Sequence, residues 1–383
     1  MPDTTSPAAL IPSPVAYSPE VEKIEPYEAD LSQELTDTII GIAQKTYADG
    51  HHAMRGVHAK SHALLSGELQ VLPGLHEPLA QGIFAHEARY PVIMRFSTTP
   101  GDILPDAVST PRGLAIKIIG VDGARLPGSE GATQDFVMVN GPAFATSNGK
   151  PFAANLKLLA GTTDRMEGVK VAVSNVMQAT EKAFEAFGST NAAVRSMGGE
   201  PKTHPLGETY FTQVPVRYGD YIAKLSLAPG SDNLSDLKGA PIDDSQNAFA
   251  IRDAMHDYFA LNDGVWELRV QLCSDLDTMP IEDASKVWPE DQSPYVTVAR
   301  LHVRPQAAWS EARSAAVDDA MSFSPWHGIE AHRPLGQIMR LRRQAYEASS
   351  AFRAQHGGAR QEPVQLPDVF RDDGNEPTDV FYP

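Results

Sequence analysis

Apolar side chains recur along this chain with two periods, and the change from one to the other divides it. Between residues 29 and 48, Leu31, Leu35, Ile39 and Ile42 fall at helical spacing. This predicts an amphipathic helix, with Asp30 or Ser32 placed to cap it. After Gly50 the period shortens. The runs GELQVLPG, YPVIMRFST, RGLAIKIIGV and QDFVMVN are rich in Val, Ile and Phe and bounded by Gly and Pro, so they predict strands. A second strand group follows in VPVRYGDYIAKLSLAP, GVWELRVQLC and YVTVARLHV. In it, Trp266, Leu268, Val270 and Leu272 alternate onto one face. Residues 166–188, between the groups, and GQIMRLRRQAYEASSAFRAQHGG, near the end, return to a helical pattern. The Gly pair closing the last helix suits a C-cap.

Many antiparallel strands in two groups predict a barrel or sandwich. Helices before, between and after them make the class α+β, with one main domain over residues 26–356. Residues 1–25 hold five prolines and no apolar period, as an N-terminal arm would. Residues 357–383 are polar, rich in Pro, Asp and Gly, and predicted to run over the surface.

Composition narrows the function classes. The net charge of −17 repels phosphate backbones and anionic lipid heads, which weighs against a nucleic-acid partner. No apolar run is long enough to predict a membrane span, and the N-terminus lacks the pattern of a secretory signal. The single cysteine, Cys273, excludes an intramolecular disulfide and reads as inert core. A cytoplasmic location is the expectation.

Four segments carry candidate chemistry. On the last helix, Arg342, Tyr346 and Arg353 lie four and seven residues apart and share a face. An arginine beside a phenol favours the phenolate, a hard ligand for ferric iron; the plainer reading is a tyrosine packed on the core. In RGVHAKSHA at 55–63, Arg55 and His58 flank Val57, and His58 reads either as a general base or as a histidine bonded to backbone. The run MRFSTTPGD places Arg95 among apolar residues. A buried arginine needs an anion, and a ligand carboxylate or an Asp or Glu of the fold would serve. Asn140 ends a strand before Gly-Pro, as a turn residue or as an amide facing a cavity.

Taken in order, these segments resemble the catalase family. Arg55 to Lys60 match R-x-V-H-A-K, Met94 to Thr98 match V-R-F-S-T, and Pro111 to Lys117 match P-R-G-F-A-V-K. Asp135 to Phe144 are similar to D-L-V-G-N-N-T-P-x-F, Trp288 to Asp291 to W-P-E-D, and Phe323 to Pro325 with Gly328 to Glu330 to F-S-P and G-I-E. Arg342 to Tyr346 match the proximal R-x-x-x-Y. The resemblance spans about residues 50–355 and implies an antiparallel eight-stranded β-barrel with flanking helices, binding haem b. It implies Tyr346 as the ligand of the ferric iron, Arg342 as the group keeping it ionised, and His58 as the distal acid–base. Asn140 would position the peroxide, Ser97 would orient His58, Val57 would precede the distal histidine as in catalases, and Arg55, Arg95 and Arg353 would hold the propionates. The reaction implied is cleavage of the O–O bond of hydrogen peroxide or an organic hydroperoxide through a ferryl intermediate, as part of oxidative stress defence, with an organic electron donor in a peroxidase cycle.

The chain also departs from the family. HAKS stands for HAKG and VNGP for NNTP, and the F-F-I-R-D run after the asparagine is missing, with Phe144 and Phe152 left to fill the space. Only a short tail follows Arg353, so NADPH is not expected, and the shortened arms leave a homodimer open. The proximal stretch looks more like compact catalase-related peroxidases and catalase-like allene oxide synthases. Val57 stands where those synthases carry Thr. Peroxidase chemistry is therefore the leading expectation, with a fatty-acid hydroperoxide isomerase and a non-catalytic haem-binding sensor as alternatives.

Overall fold

The computed structural model describes residues 13–160, 200–357 and 362–371; the helix expected at 166–188 lies outside them. Among the described residues, nine strands, all antiparallel, are present: β1 (Ser61–Val71), β2 (Arg89–Thr98), β3 (Arg112–Ile119), β4 (Thr133–Val139), β5 (Tyr210–Phe211), β6 (Val216–Tyr218), β7 (Tyr221–Pro229), β8 (Gly264–Leu272) and β9 (Val296–Val303). Their order is β5-β4-β3-β2-β1-β9-β8-β7-β6, and β5 also pairs with β7. That pairing closes eight strands into a barrel and leaves β6 as a hairpin arm on β7. With flanking helices α1 (Glu28–Gly50), α2 (Gly149–Ala160), α3 (Ala250–Phe259) and α4 (Gln337–Gly357), this is the expected α+β barrel.

Alternation decides what faces inward, because successive strand side chains point to opposite faces. Met94, Phe96, Leu114, Ile116, Phe136, Met138, Leu225, Leu227, Trp266 and Leu268 fill the barrel in one apolar cluster. Residues between them face outward. On β2 these are Ile93, Arg95 and Ser97, and on β3 they include Gly113, Ala115 and Lys117. The outer face is nevertheless buried: all eight residues of β3 are shielded from solvent, because helices and the chain's own ends cover it.

Three helices pack together beside this face. Leu35, Ile39 and Ile42 of α1, Ala153 and Leu156 of α2, and Leu341 and Ala345 of α4 form one cluster, against which Val57 rests. Helix α1 begins at Glu28 without a side-chain cap on its N-terminus. The expected caps Asp30 and Ser32 lie inside the helix instead. Glu28 Oε1 accepts from the amide of Glu25 and binds Arg340 of α4, so this helix start is anchored by an ion pair.

Both chain ends are docked where they are described. Val15 donates to Cys273 O at 2.7 Å and Tyr17 to Asp220 O at 2.8 Å. Cys273 is buried, and burial pushes its thiol up to about 11, as an inert core cysteine requires. Residues 362–371 do not simply run over the surface: Phe370 is fully buried, and Glu362 accepts from Lys117 Nζ at 2.9 Å beside Asp135. Among the described residues, no helix is long and apolar enough to cross a membrane.

Candidate functional site

Sheet register sets out one wall of the site. Ser97 of β2 pairs with Gly113 of β3, and Gly113 pairs with Val139 of β4, so three strands line up where the next residue is Asn140. Against this line sits the imidazole of His58. Its Nδ1 lies 3.1 Å from Ser97 Oγ, the contact expected of Ser97. A Cβ on Gly113 would fall 2.6 Å from His58 Cε1 and Nδ1. Only glycine lets the ring approach so closely. The Gly113→Ala variant is expected to displace the ring and cost about 1–3 kcal/mol by overpacking. Urea unfolding with the His58 imidazole proton signals checks this, and unaltered signals would contradict it.

The backbone of His58 is itself constrained. Its φ is 54°, a left-handed conformation that a residue with a side chain adopts only when its surroundings impose it. Here the His58 amide donates to Thr99 O at 2.8 Å, and Arg95 Nη2 donates to His58 O at 2.8 Å and Ala59 O at 3.1 Å. Burial, followed by the fields of Arg95, Arg342 and Arg55, lowers the pKa of His58 from 6.5 to about 3. The imidazole is therefore neutral across the ordinary pH range, with a free lone pair available as a base.

On α4, the four-residue spacing brings Arg342 against Tyr346. Arg342 Nη2 donates to Tyr346 Oη at 2.6 Å, and the guanidinium stands 5.3 Å from the centre of the tyrosine ring. It also lies 5.8 Å from the centre of the Phe144 ring, and Phe144 packs edge-on against Phe152, with ring centres 5.1 Å apart. These two phenylalanines belong to the cluster of Trp326, Ile338 and Met339, so they lie against the start of α4 as well as near Arg342.

Arg55, Arg95 and Arg353 also come together, on a segment that sequence reasoning missed. A π-helical turn at Ala315–Asp319 carries Asp318. Arg95 Nε donates to Asp318 Oδ1 at 2.6 Å, and Arg55 Nη1 to the same oxygen at 3.3 Å. Arg55 and Arg353 further donate to the carbonyls of Asp318 and Met321. Asp318 is a carboxylate of the fold that serves Arg95 as its anion. Burial pushes the Asp318 carboxyl up, but Arg95 and Arg55 more than offset this and hold it below the usual range. Burial, then Arg353 and Arg95, disfavour the Arg55 cation. Two guanidinium groups share one carboxylate, so this corner suits a further anion.

Asn140 has a different set of partners from the peroxide that the resemblance implies. Its Nδ2 donates to Glu200 Oε1 at 2.8 Å and Glu208 Oε2 at 2.7 Å, and its Oδ1 accepts from the Arg112 amide at 2.9 Å. Both amide hydrogens are thus committed. To reach a bound peroxide, one must leave Glu200 or Glu208. The sequence offered no signal for these glutamates, which lie 60 and 68 residues beyond Asn140.

The chain is similar to a fungal catalase at 17% identity, covering 89% of this chain and 71% of that one, with a TM-score of 0.56. It is similar to catalase A from Saccharomyces cerevisiae at 16% identity, covering 89% and 73%, with a TM-score of 0.55. A bacterial catalase aligns at 15% identity over 99% of this chain and 67% of its own, with a TM-score of 0.53. At such identities the likeness establishes a catalase-like fold. No known family profile and no curated protein sequence matches the chain.

Proposed function

We propose that this chain binds haem through Tyr346 and cleaves the O–O bond of a peroxide, working as a peroxidase with an organic electron donor. The observation that carries the reading is a pair of prepared groups within a catalase-like fold. On α4, a phenol accepts a 2.6 Å hydrogen bond from Arg342; against β3, a histidine is kept neutral and held by Ser97.

The residues fit the cofactor in charge and donor type. A phenol oxygen paired with an arginine is of a donor type known to ligate haem. The corner of Arg55, Arg95 and Arg353 is cationic enough to take the propionates beside Asp318. Val57 packs among α1, α2 and α4 and so ties the distal loop to the helix bearing Tyr346. When bound, the haem supplies the redox chemistry of peroxide cleavage.

The chain's own residues then move one proton. With Nδ1 of His58 facing Ser97 Oγ, Nε2 is the nitrogen left to act as the base. It takes the proton from one peroxide oxygen and returns it to the other, so that water or an alcohol departs. Burial, followed by the field of Arg95, Arg342 and Arg55, keeps His58 from holding that proton at rest. With the Asn140 amide held by Glu200 and Glu208, His58 is the group left to handle the substrate, and the missing aromatic run after Asn140 gives larger hydroperoxides access. Steady-state assays test this reading: an organic hydroperoxide with an organic donor is expected to turn over faster than oxygen is released from hydrogen peroxide. Rapid oxygen release with no donor oxidation would overturn it.

A further inference from the structure

We infer that Asp318 is a positioning residue for His58, acting through Arg95; the inference rests on the role proposed above for His58. Asp318 is fixed from all sides. Ser61 Oγ and Ser314 Oγ donate to its Oδ2 at 2.6 and 2.9 Å, while Arg95 Nε and Arg55 Nη1 donate to Oδ1. A guanidinium is a rigid planar fork, so anchoring Nε to Asp318 fixes where Nη2 points. It points at the carbonyl oxygens of His58 and Ala59, at 2.8 and 3.1 Å.

Those two carbonyls belong to the residue with φ of 54° and to its neighbour. Their acceptor bonds hold the left-handed backbone that delivers the imidazole to Gly113 and Ser97. The chain of contacts therefore runs from the π-helical turn, through Asp318 and Arg95, to the backbone of His58. The missing side chain at Gly113 makes room for the ring on one side, and Arg95 sets the main chain from the other. Asp318 touches no reacting atom in this arrangement. It also sits among the arginines proposed to hold the propionates, where its negative charge opposes a second anion.

This gives a signature that a merely structural residue would not show. In Asp318→Asn the charge anchoring Arg95 is lost, while the arginine corner becomes more cationic. The rate of reaction with an organic hydroperoxide is expected to fall about 10- to 100-fold, while haemin uptake stays within about threefold of wild type or tightens. In the haem-free protein, the His58 imidazole proton signals are expected to shift, and Asp318→Glu is expected to restore part of both effects. Ser314→Ala, which keeps the charge and loosens one bond, is expected to move the same readouts less. Unchanged His58 signals and peroxide rate in Asp318→Asn would overturn the inference. So would a parallel loss of haemin uptake, rate and thermal midpoint that Asp318→Glu fails to rescue, with Ser314→Ala inert. Failure of the wild-type protein to take up haemin would instead strike the proposed function, and the haem-free signals would still decide whether Asp318 positions His58.

Discussion

Replacing His58 by alanine is expected to lower the rate of reaction with peroxide by about 10²- to 10⁴-fold, the range that a positioned acid–base group contributes. Haemin uptake and thermal stability are expected to remain near wild type, because the substitution leaves Tyr346 and Arg342 in place and removes a buried polar ring. Stopped-flow mixing of the reconstituted protein with an organic hydroperoxide measures the effect. The pH dependence separates this role from a general structural one. A pKa of about 3 for His58 means the base is available above that value and is lost only as the pH falls toward it. Wild-type reactivity should therefore show no limb near 6.5 from this histidine. Undiminished reactivity in His58→Ala would favour a haem-binding sensor that does not use the distal side.

A second large effect is acid destabilisation of the fold itself. Burial lowers His58 and His332 from 6.5 to about 3, and His204 to about 4. In each case the folded state favours the neutral ring, whereas the unfolded chain takes up protons near 6.5. Stability from these groups is thus intact above about pH 6.5 and is lost as the pH falls from there toward the folded values. At about 1.4 kcal/mol per unit, moving to pH 4.5 removes roughly 2–3 kcal/mol for each ring. Three such losses together approach the roughly 5–15 kcal/mol that stabilises an ordinary domain. Asp318, held below its usual range by Arg95 and Arg55, adds to the loss at the acid end. Thermal unfolding at pH 7 and pH 4.5 checks this: the midpoint should drop steeply, and an equal midpoint at both pH values would show that these rings are protonated in the native state.

The barrel was legible because its strands alternate strictly. Trp266, Leu268, Val270 and Leu272 face the barrel interior as their spacing predicts. Where the pattern runs short, the reading blurred. The single run expected from Val214 to Pro229 is two strands with a turn at Gly219 and Asp220, and β5 is only two residues long. Yet β5 closes the barrel, since Tyr210 and Phe211 bridge β7 to β4. Helix α3 carries Ile251, Met255 and Phe259 into the core, but these apolar positions are too few to stand out beside the seven other, mostly polar or small, residues of the helix.

The site was legible where chemistry is local. The contact between Arg342 and Tyr346 follows from four-residue spacing on one helix, and the distal pair of His58 and Ser97 came from motif resemblance. What the sequence hid are partners supplied from far away. Asp318 reaches Arg95 across 223 positions, from an alanine-rich stretch with no motif. Glu200 and Glu208 reach Asn140 from 60 and 68 positions further along the chain. A buried cation demands an anion, so the sequence announced that Arg95 needed one; only folding says that the chain provides it. The same holds for Gly113, whose need for no side chain appears only when the His58 ring lies against it.

The central claim is that Tyr346 ligates a haem. The measurement that tests it most directly is the absorption spectrum of the protein mixed with haemin, compared with Tyr346→Phe. The wild-type protein is expected to give a high-spin ferric spectrum of the tyrosinate-ligated kind, and Tyr346→Phe, which keeps the ring and its packing, is expected to lose it. An identical spectrum in both proteins, or a wild-type protein that stays colourless after exposure to haemin, would contradict the account.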